Sequence, residues 1–237
     1  MLIFAHIFAG ALLGLGIWHL TDDRRAIPVC IAASILPDLI DKSLGLLFPL
    51  VLGGGRTVFH SLIIVGVVLL WMLLFVRSRS LLLGVSVAGA LLLHQIFDEM
   101  WNLPATWFYP FLGPFQGQMI PEYINTYFWL EITNPSEWMF MIGTVAILAE
   151  SYGAMLPISR ASLPDTIKTR ASTLVVAGLL ITGLYLVTAG LTSTTETFIT
   201  PDYYQVPTVI AGGLALCGAV FMRREMLIHP GVQEPDS

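Results

Sequence analysis

Long apolar runs, separated by short polar, basic or glycine-rich stretches, occupy most of the chain. Their lengths and the residues that break them predict seven helical segments, at about 2–20, 24–36, 58–76, 80–98, 137–156, 172–191 and 206–222. Several approach or exceed the roughly 18 apolar residues that mark a membrane-spanning helix. Pro37 is expected to end or kink the second segment. A shorter apolar stretch, Leu44 to Leu52, lies between Asp41-Lys42-Ser43 and Gly53-Gly54-Gly55. It is too short to cross, which makes it re-entrant or interfacial. The expected fold is all-α: a polytopic transmembrane helical bundle of about seven segments plus that short stretch. Three regions follow, a helical core over 1–100, an aromatic loop over 101–136, and C-terminal transmembrane helices with a short polar tail over 137–237.

Composition strengthens this picture. Charged residues make up 11% of the 237 and the mean hydropathy is +0.79; an ordinary soluble domain carries roughly twice that charge fraction. The first apolar run has no basic residues before it and no small-residue cleavage pattern after it, so it reads as a retained helix rather than a signal peptide. Nine of the eleven Lys and Arg residues fall on one side of the seven-span scheme: Arg24, Arg25, Arg77, Arg79, Arg160, Lys168, Arg170, Arg223 and Arg224. That side is expected to be cytoplasmic, with the N-terminus outside and the C-terminus inside a cell (inner) membrane. No basic patch points to nucleic acid. Cys30 and Cys217 fall in separate apolar segments without CxxC spacing, which argues for buried thiols rather than a disulfide or a thiolate metal site.

Against this background six ionisable residues stand out: His6, Asp38, Asp41, His60, His94 and Asp98. Each lies in or at the end of an apolar run, where a charge is costly and marks function by default. All are types that bind divalent metals. Counting 1.5 Å per residue from the basic end of each segment puts His6 and Asp38 roughly 21 Å up, His60 roughly 25 Å, and His94 and Asp98 roughly 22 and 28 Å. Four segments thus deliver side chains to one layer near the extracytoplasmic boundary. The expected ligands are His6, Asp38, His60, His94 and Asp98, holding one or two divalent ions, zinc first, with manganese or iron also suited to the set.

Each residue has a plainer role too. His94 and Asp98, one turn apart on a helix face, can grip an ion or merely satisfy each other by a hydrogen bond. Arg56 and Asp41 are the candidate catalytic residues. Arg56 offers a bidentate fork to an anionic substrate oxygen, or snorkels as an interface anchor. Asp41 bridges or supports the ligands, or caps the following segment. His60 and His6, taken singly, are as readily hydrogen-bonded locally as ligating. Ser61 lacks an obvious base, and Gly53–Gly55 read as a flexible turn because no P-loop lysine follows them. His19 and His229 look like ordinary interface residues. The stretch Glu99 to Ser136 holds ten aromatics, among them Trp101, Trp107, Tyr109, Tyr123 and Trp129, and no Lys or Arg. It reads as an interfacial anchor or a lid, and within it Glu122 and Glu131 are spare carboxylates able to act as general base.

Four strings carry a family resemblance: His6 followed by a Gly-rich helix, Leu36-Pro37-Asp38-Leu39-Ile40-Asp41, Arg56-Thr57-Val58-Phe59-His60-Ser61, and His94-Gln95-Ile96-Phe97-Asp98. Over about residues 1–100 the chain resembles the YdjM-type membrane-bound, metal-dependent hydrolases, also described as LexA-binding, inner-membrane-associated hydrolases. Lys42 stands where many such proteins have a histidine. The order of ligand types is also similar to that of zinc-dependent phospholipase C and the helical zinc nucleases, which add later histidines and a glutamate. The resemblance implies hydrolysis of a phosphoester or related ester, and the depth of the site implies a membrane lipid or lipid-linked substrate. Two other readings stay open: a metal-ion or proton transporter, for which Glu150 is the one lower candidate on a path, and a non-enzymatic membrane interaction protein.

Overall fold

A computed structural model describes residues 3–48, 55–76, 80–115, 123–152, 165–192 and 205–228. The expectations placed on Gly53, Gly54, Arg77, Arg79, Glu122, Arg160 and His229, and on the segment ends 49–52 and 153–156, lie outside the described residues. Within them every regular element is helical. The nine α-helices are α1 (Ile3–Thr21), α2 (Ala26–Leu47), α3 (Leu62–Phe75), α4 (Ser80–Phe97), α5 (Pro104–Trp107), α6 (Tyr123–Thr133), α7 (Pro135–Tyr152), α8 (Asp165–Leu191) and α9 (Gln205–Ile228). Two 3-10 turns, Val58–His60 and Met100–Asn102, precede α3 and α5. Ile3–Thr21, Thr166–Leu191 and Gln205–Arg224 are long and apolar enough to cross a membrane by length and composition, and Leu62–Phe75 and Leu81–Phe97 are shorter apolar helices.

The second helix corrects the expectation for Pro37. It runs through the proline to Leu47, so Leu44–Leu47 form its last turns rather than the start of a separate re-entrant stretch. A proline inside a helix removes one backbone hydrogen bond and crowds the carbonyl four residues back, at a cost of about 3 kcal/mol. Packing outweighs that cost here: Ala26, Ile27, Cys30, Ala33, Ser34, Pro37, Asp38 and Asp41 form one buried face. Continuity through Pro37 puts Ser34, Asp38 and Asp41 on successive turns of one helix, which a helix ending at residue 36 would not do.

The chain divides into two compact units, Met1–Thr133 and Asn134–Ser237. In the first, α1 packs on α2, and both pack on α4, which also carries α3. The α1–α2 contact is backbone against backbone. A Cβ at Gly10 would come 2.5 Å from Ser34 Oγ and 2.7 Å from the Cys30 carbonyl, and one at Gly14 would strike the backbone of Ala26 and Ile27. Small residues one turn apart are the usual means of such close approach between membrane helices. Cys30, Ala33 and Ala90 close the core between α2 and α4. By contrast α3 buries no residue and exposes Val67, Leu70, Trp71, Leu73, Leu74 and Phe75, the apolar all-round surface of a helix in lipid.

In the second unit α8 and α9 pair through glycines. Gly183 lies on Leu216 and the Gly212 carbonyl, Gly190 on Val209 and the Gln205 carbonyl. Cys217 on α9 is exposed, whereas Cys30 is buried; the expectation of a buried thiol holds for Cys30 alone, because residue 217 falls on the outer face of its helix.

Candidate metal centre

Three elements of the first unit bring the candidate ligands together. Asp38 comes from α2, His60 from the 3-10 turn before α3, and His94 and Asp98 from the end of α4. One donor atom from each of Asp38, His60, His94 and Asp98 lies within 4.8 Å of the others, and all four residues are buried. The helical register of α4 persists one residue beyond Phe97, since the Asp98 amide donates to the His94 carbonyl at 3.0 Å. The spacing of four therefore sets imidazole and carboxylate on one face. His60 does not open a helix as expected; Ser61 is extended and α3 starts at Leu62, which frees the His60 backbone to turn inward.

Each imidazole is fixed by its far nitrogen. His94 Nδ1 donates to the Ser34 carbonyl at 2.6 Å, and a carbonyl only accepts, so this nitrogen carries the hydrogen and Nε2 presents its lone pair. Ser34 sits next to Ala33, whose carbonyl has no amide to receive from Pro37. His60 Nδ1 donates to Asp41 Oδ2 at 2.8 Å, and the two Nε2 atoms then face each other at 3.2 Å. His60 Nε2 is 3.5 Å from Asp38 Oδ1 and 3.6 Å from Asp98 Oδ2, and His94 Nε2 is 3.8 Å from Asp38 Oδ1. Asp38 Oδ1 is buried and accepts no hydrogen bond. Two imidazole nitrogens and two carboxylates converging in a buried pocket form a set that could hold a divalent cation. The donor set, nitrogen and oxygen without sulfur, suits zinc, manganese or iron.

Asp41 is not in this group, nor does it cap a helix. Its Oδ2 accepts from the Thr57 amide at 2.8 Å, the His60 amide at 3.1 Å and His60 Nδ1, and its Oδ1 accepts from Thr57 Oγ1 at 2.7 Å. The carboxylate is the post around which residues 57–60 wind, and it orients the candidate ligand imidazole as an outer carboxylate of a metal site would. His6 lies behind Asp98: its Nε2 is 3.2 Å from Asp98 Oδ1 and its ring stacks on His94 at 4.0 Å. His6 Nδ1 is buried without a hydrogen-bond partner. Arg56 places Nε and Nη2 each 3.1 Å from Asp98 Oδ2, and Lys42 Nζ is 2.6 Å from Asp38 Oδ2. Burial pushes the carboxyl of Glu99, in the turn after α4, above the usual range.

Several neighbours escaped the sequence reading. Gln95 is fully buried; its Nε2 donates to the carbonyls of Ser61 (3.0 Å) and Phe59 (3.3 Å), and its Oε1 accepts from Trp107 Nε1 at 2.9 Å. It ties the His60 turn to α4 and to α5. The signal available was an amide side chain inside an apolar helix, between His94 and Asp98. Trp107 is thus bonded inward, while Trp101, Phe108, Phe111, Phe128 and Trp129 are exposed. Glu131, a candidate base, is engaged elsewhere: its two oxygens accept the amides of Ile3 and Phe4, each at 3.0 Å, at the start of α1.

The family model for the YdjM inner membrane protein matches residues 1–195, well past the first hundred residues and through α8. No curated protein and no solved structure matches the chain significantly. With the family match extending over most of the sequence, and the apolar helices and buried His/Asp group in place, the chain belongs to the YdjM inner membrane protein family.

Proposed function

We propose that the protein is an integral membrane, metal-dependent hydrolase acting on a phosphoester or related ester of a lipid-linked substrate. Asp38, His60, His94 and Asp98 hold a divalent ion, zinc first, and His6, whose Nε2 lies 3.2 Å from Asp98 Oδ1, supports the set from behind Asp98. The observation that carries the reading is the convergence of His60 Nε2, His94 Nε2 and the two carboxylates within 4.8 Å in a buried pocket. An ion in such a set supplies Lewis-acid polarisation of the ester oxygen and a water acidic enough to react near neutral pH. The chain's own residues do the rest. Ser34 and Asp41 fix the ring orientations, Arg56 offers a charged fork beside Asp98, and the packed helices exclude bulk water.

A lipid-linked substrate is supported by what surrounds the ligands. Leu39, next to Asp38, and Leu46 and Leu47 on the same helix are exposed, so the ligand-bearing helix itself offers apolar surface to acyl or isoprenoid chains. We place the site toward the extracytoplasmic side, with the N-terminus outside, on the asymmetry of the basic residues. The test is metal analysis of detergent-purified protein together with hydrolysis of a panel of phospholipids and isoprenoid phosphates. Bound zinc and cleavage that both disappear in His94→Ala support the reading. Protein without any such ion, or a His94→Ala variant with unchanged metal content, overturns it. Asp98-dependent metal uptake into liposomes without ester cleavage would replace hydrolysis by transport.

A further inference from the structure

Two cations stand at the outer edge of the cluster. Lys42 pairs with Asp38 Oδ2, the oxygen that does not face the two histidines, and Arg56 pairs with Asp98 Oδ2. The two carboxylate side chains are 4% and 1% exposed, whereas those of Lys42 and Arg56 are 29% and 38% exposed. The buried ligand group therefore reaches the protein surface past a lysine and an arginine. Gly55 keeps these two side by side. Its φ of +74° is in the left-handed region, and a Cβ there would crowd Lys42 Cα and Cγ at 3.2 and 3.3 Å. The loop consequently lies flat on the lysine stem, and the next residue is Arg56.

Charge explains why such cations matter. Asp38 and Asp98 pair with the two cations while Asp41 lies behind His60, so with neutral imidazoles the three carboxylates leave the group net negative. A divalent ion among the ligands reverses that sign and takes over the neutralisation of Asp38 and Asp98. Lys42 and Arg56 then stand at the outer edge of a group whose net charge is positive. We propose that Lys42 and Arg56 form an anion-binding subsite for a phosphoryl group, engaged when the neighbouring ligands hold their ion. The inference rests on the metal reading of the same site and adds the residues that hold the phosphoryl group. Arg56 meets two phosphoryl oxygens with its planar fork, and Lys42 supplies a mobile point charge. Ion and phosphate accordingly strengthen each other's binding by one and the same factor.

The experiment titrates inorganic phosphate into the full-length protein in detergent, zinc-saturated and chelated, with metal content measured on each sample. Zinc-saturated protein is expected to bind phosphate at least ten-fold more tightly than chelated protein. Lys42→Met and Arg56→Gln each weaken phosphate binding ten-fold or more at unchanged zinc content, and Lys42→Arg restores it. Phosphate affinity unchanged in both variants, or no binding to zinc-saturated wild type at millimolar phosphate, overturns the subsite. Loss of zinc itself from both variants also overturns it, because the cations would then be supports of the ligand group. A parallel arm uses short-chain phosphatidic acid. Tighter binding of the lipid than of phosphate supports the subsite and assigns a headgroup as its source; equal affinity supports it and assigns free phosphate. Intact phosphate binding without cleavage of any ester leaves the subsite standing and removes the hydrolase.

Discussion

Nε2 of His60 and Nε2 of His94 face one another across 3.2 Å, and neither ring can turn away. The opposite nitrogen of each is committed, one to Asp41 and one to the Ser34 carbonyl. Rotating either ring would trade a buried hydrogen bond for an unsatisfied nitrogen, which costs about 1–3 kcal/mol. The arrangement holds the two nitrogens toward a common point, where a bound cation would meet both lone pairs. Removing that cation is the first prediction. Chelation should lower the thermal midpoint, because an ion bound by the folded state alone stabilises it by about 2.7 kcal/mol at a hundred-fold excess over its dissociation constant. For a protein of this size that corresponds to a shift on the order of 5–10 °C. Scanning calorimetry with and without chelator checks it; coincident midpoints would show that no ion bridges the rings.

Asp41 yields a prediction that separates support from ligation. Its four accepted hydrogen bonds, from Thr57 and His60, all demand a carboxylate that only accepts. An amide in its place must present one donor to a donor. Asp41→Asn should weaken metal affinity about 10–100-fold, the usual cost of losing an outer partner of a ligand histidine, while the protein still folds and takes up the ion at high concentration. Thr57→Val should move affinity in the same direction by less. Competition against a chromogenic chelator measures both.

The division between what the sequence reveals and what it hides follows sequence separation. His94 and Asp98 are legible because four residues on a helix make a fixed geometry, and Asp38 because a charge in an apolar run is conspicuous. The role of Asp41 depends on the return of residues 55–60 onto α2, which no local pattern encodes. Pro37 defeats the expectation of a helix end because propensity is local, while the buried face that carries the helix through it is built by α1 and α4. The Lys42–Asp38 pair is present in the spacing of four, yet it gains meaning only once Asp38 is seen to point its other oxygen at the histidines. Glu131 and the α1 amides are 127 and 128 residues apart, beyond any periodicity.

That long-range contact makes Glu131 testable. With both oxygens on the amides of Ile3 and Phe4, it satisfies two of the orphan donors at the start of α1 and sits at the positive end of the helix dipole. Glu131→Ala should cost about 1 kcal/mol of stability, the typical value for losing a helix cap, with zinc content unchanged. Any ester cleavage by the wild type should persist at a similar rate. A rate falling by orders of magnitude in a folded, zinc-loaded variant would instead make this glutamate the general base.

The close seam between α1 and α2 ties packing to chemistry, and Gly10 is where they meet. His6 lies one turn before Gly10, and the residue opposite Gly10 is Ser34, whose carbonyl holds His94. Adding even one methyl group at position 10 meets Ser34 Oγ, the Cys30 carbonyl and Ile31 Cα at 2.5–2.9 Å, and the last two are backbone that cannot yield without parting the helices. Gly10→Ala should therefore destabilise by about 1–3 kcal/mol, the range for overpacking, and Gly10→Val by more. The displacement should also reach the ligands: as α2 is pushed outward, Ser34 leaves His94 and Asp38 leaves the histidines, so zinc affinity falls along with stability. A methyl group at position 16 would meet nothing within 4 Å, and Gly16→Ala should leave both quantities unchanged or slightly improve the helix. Thermal unfolding and zinc titration of the three variants decide it. Equal effects at positions 10 and 16 would show that the seam does not hold the metal group together.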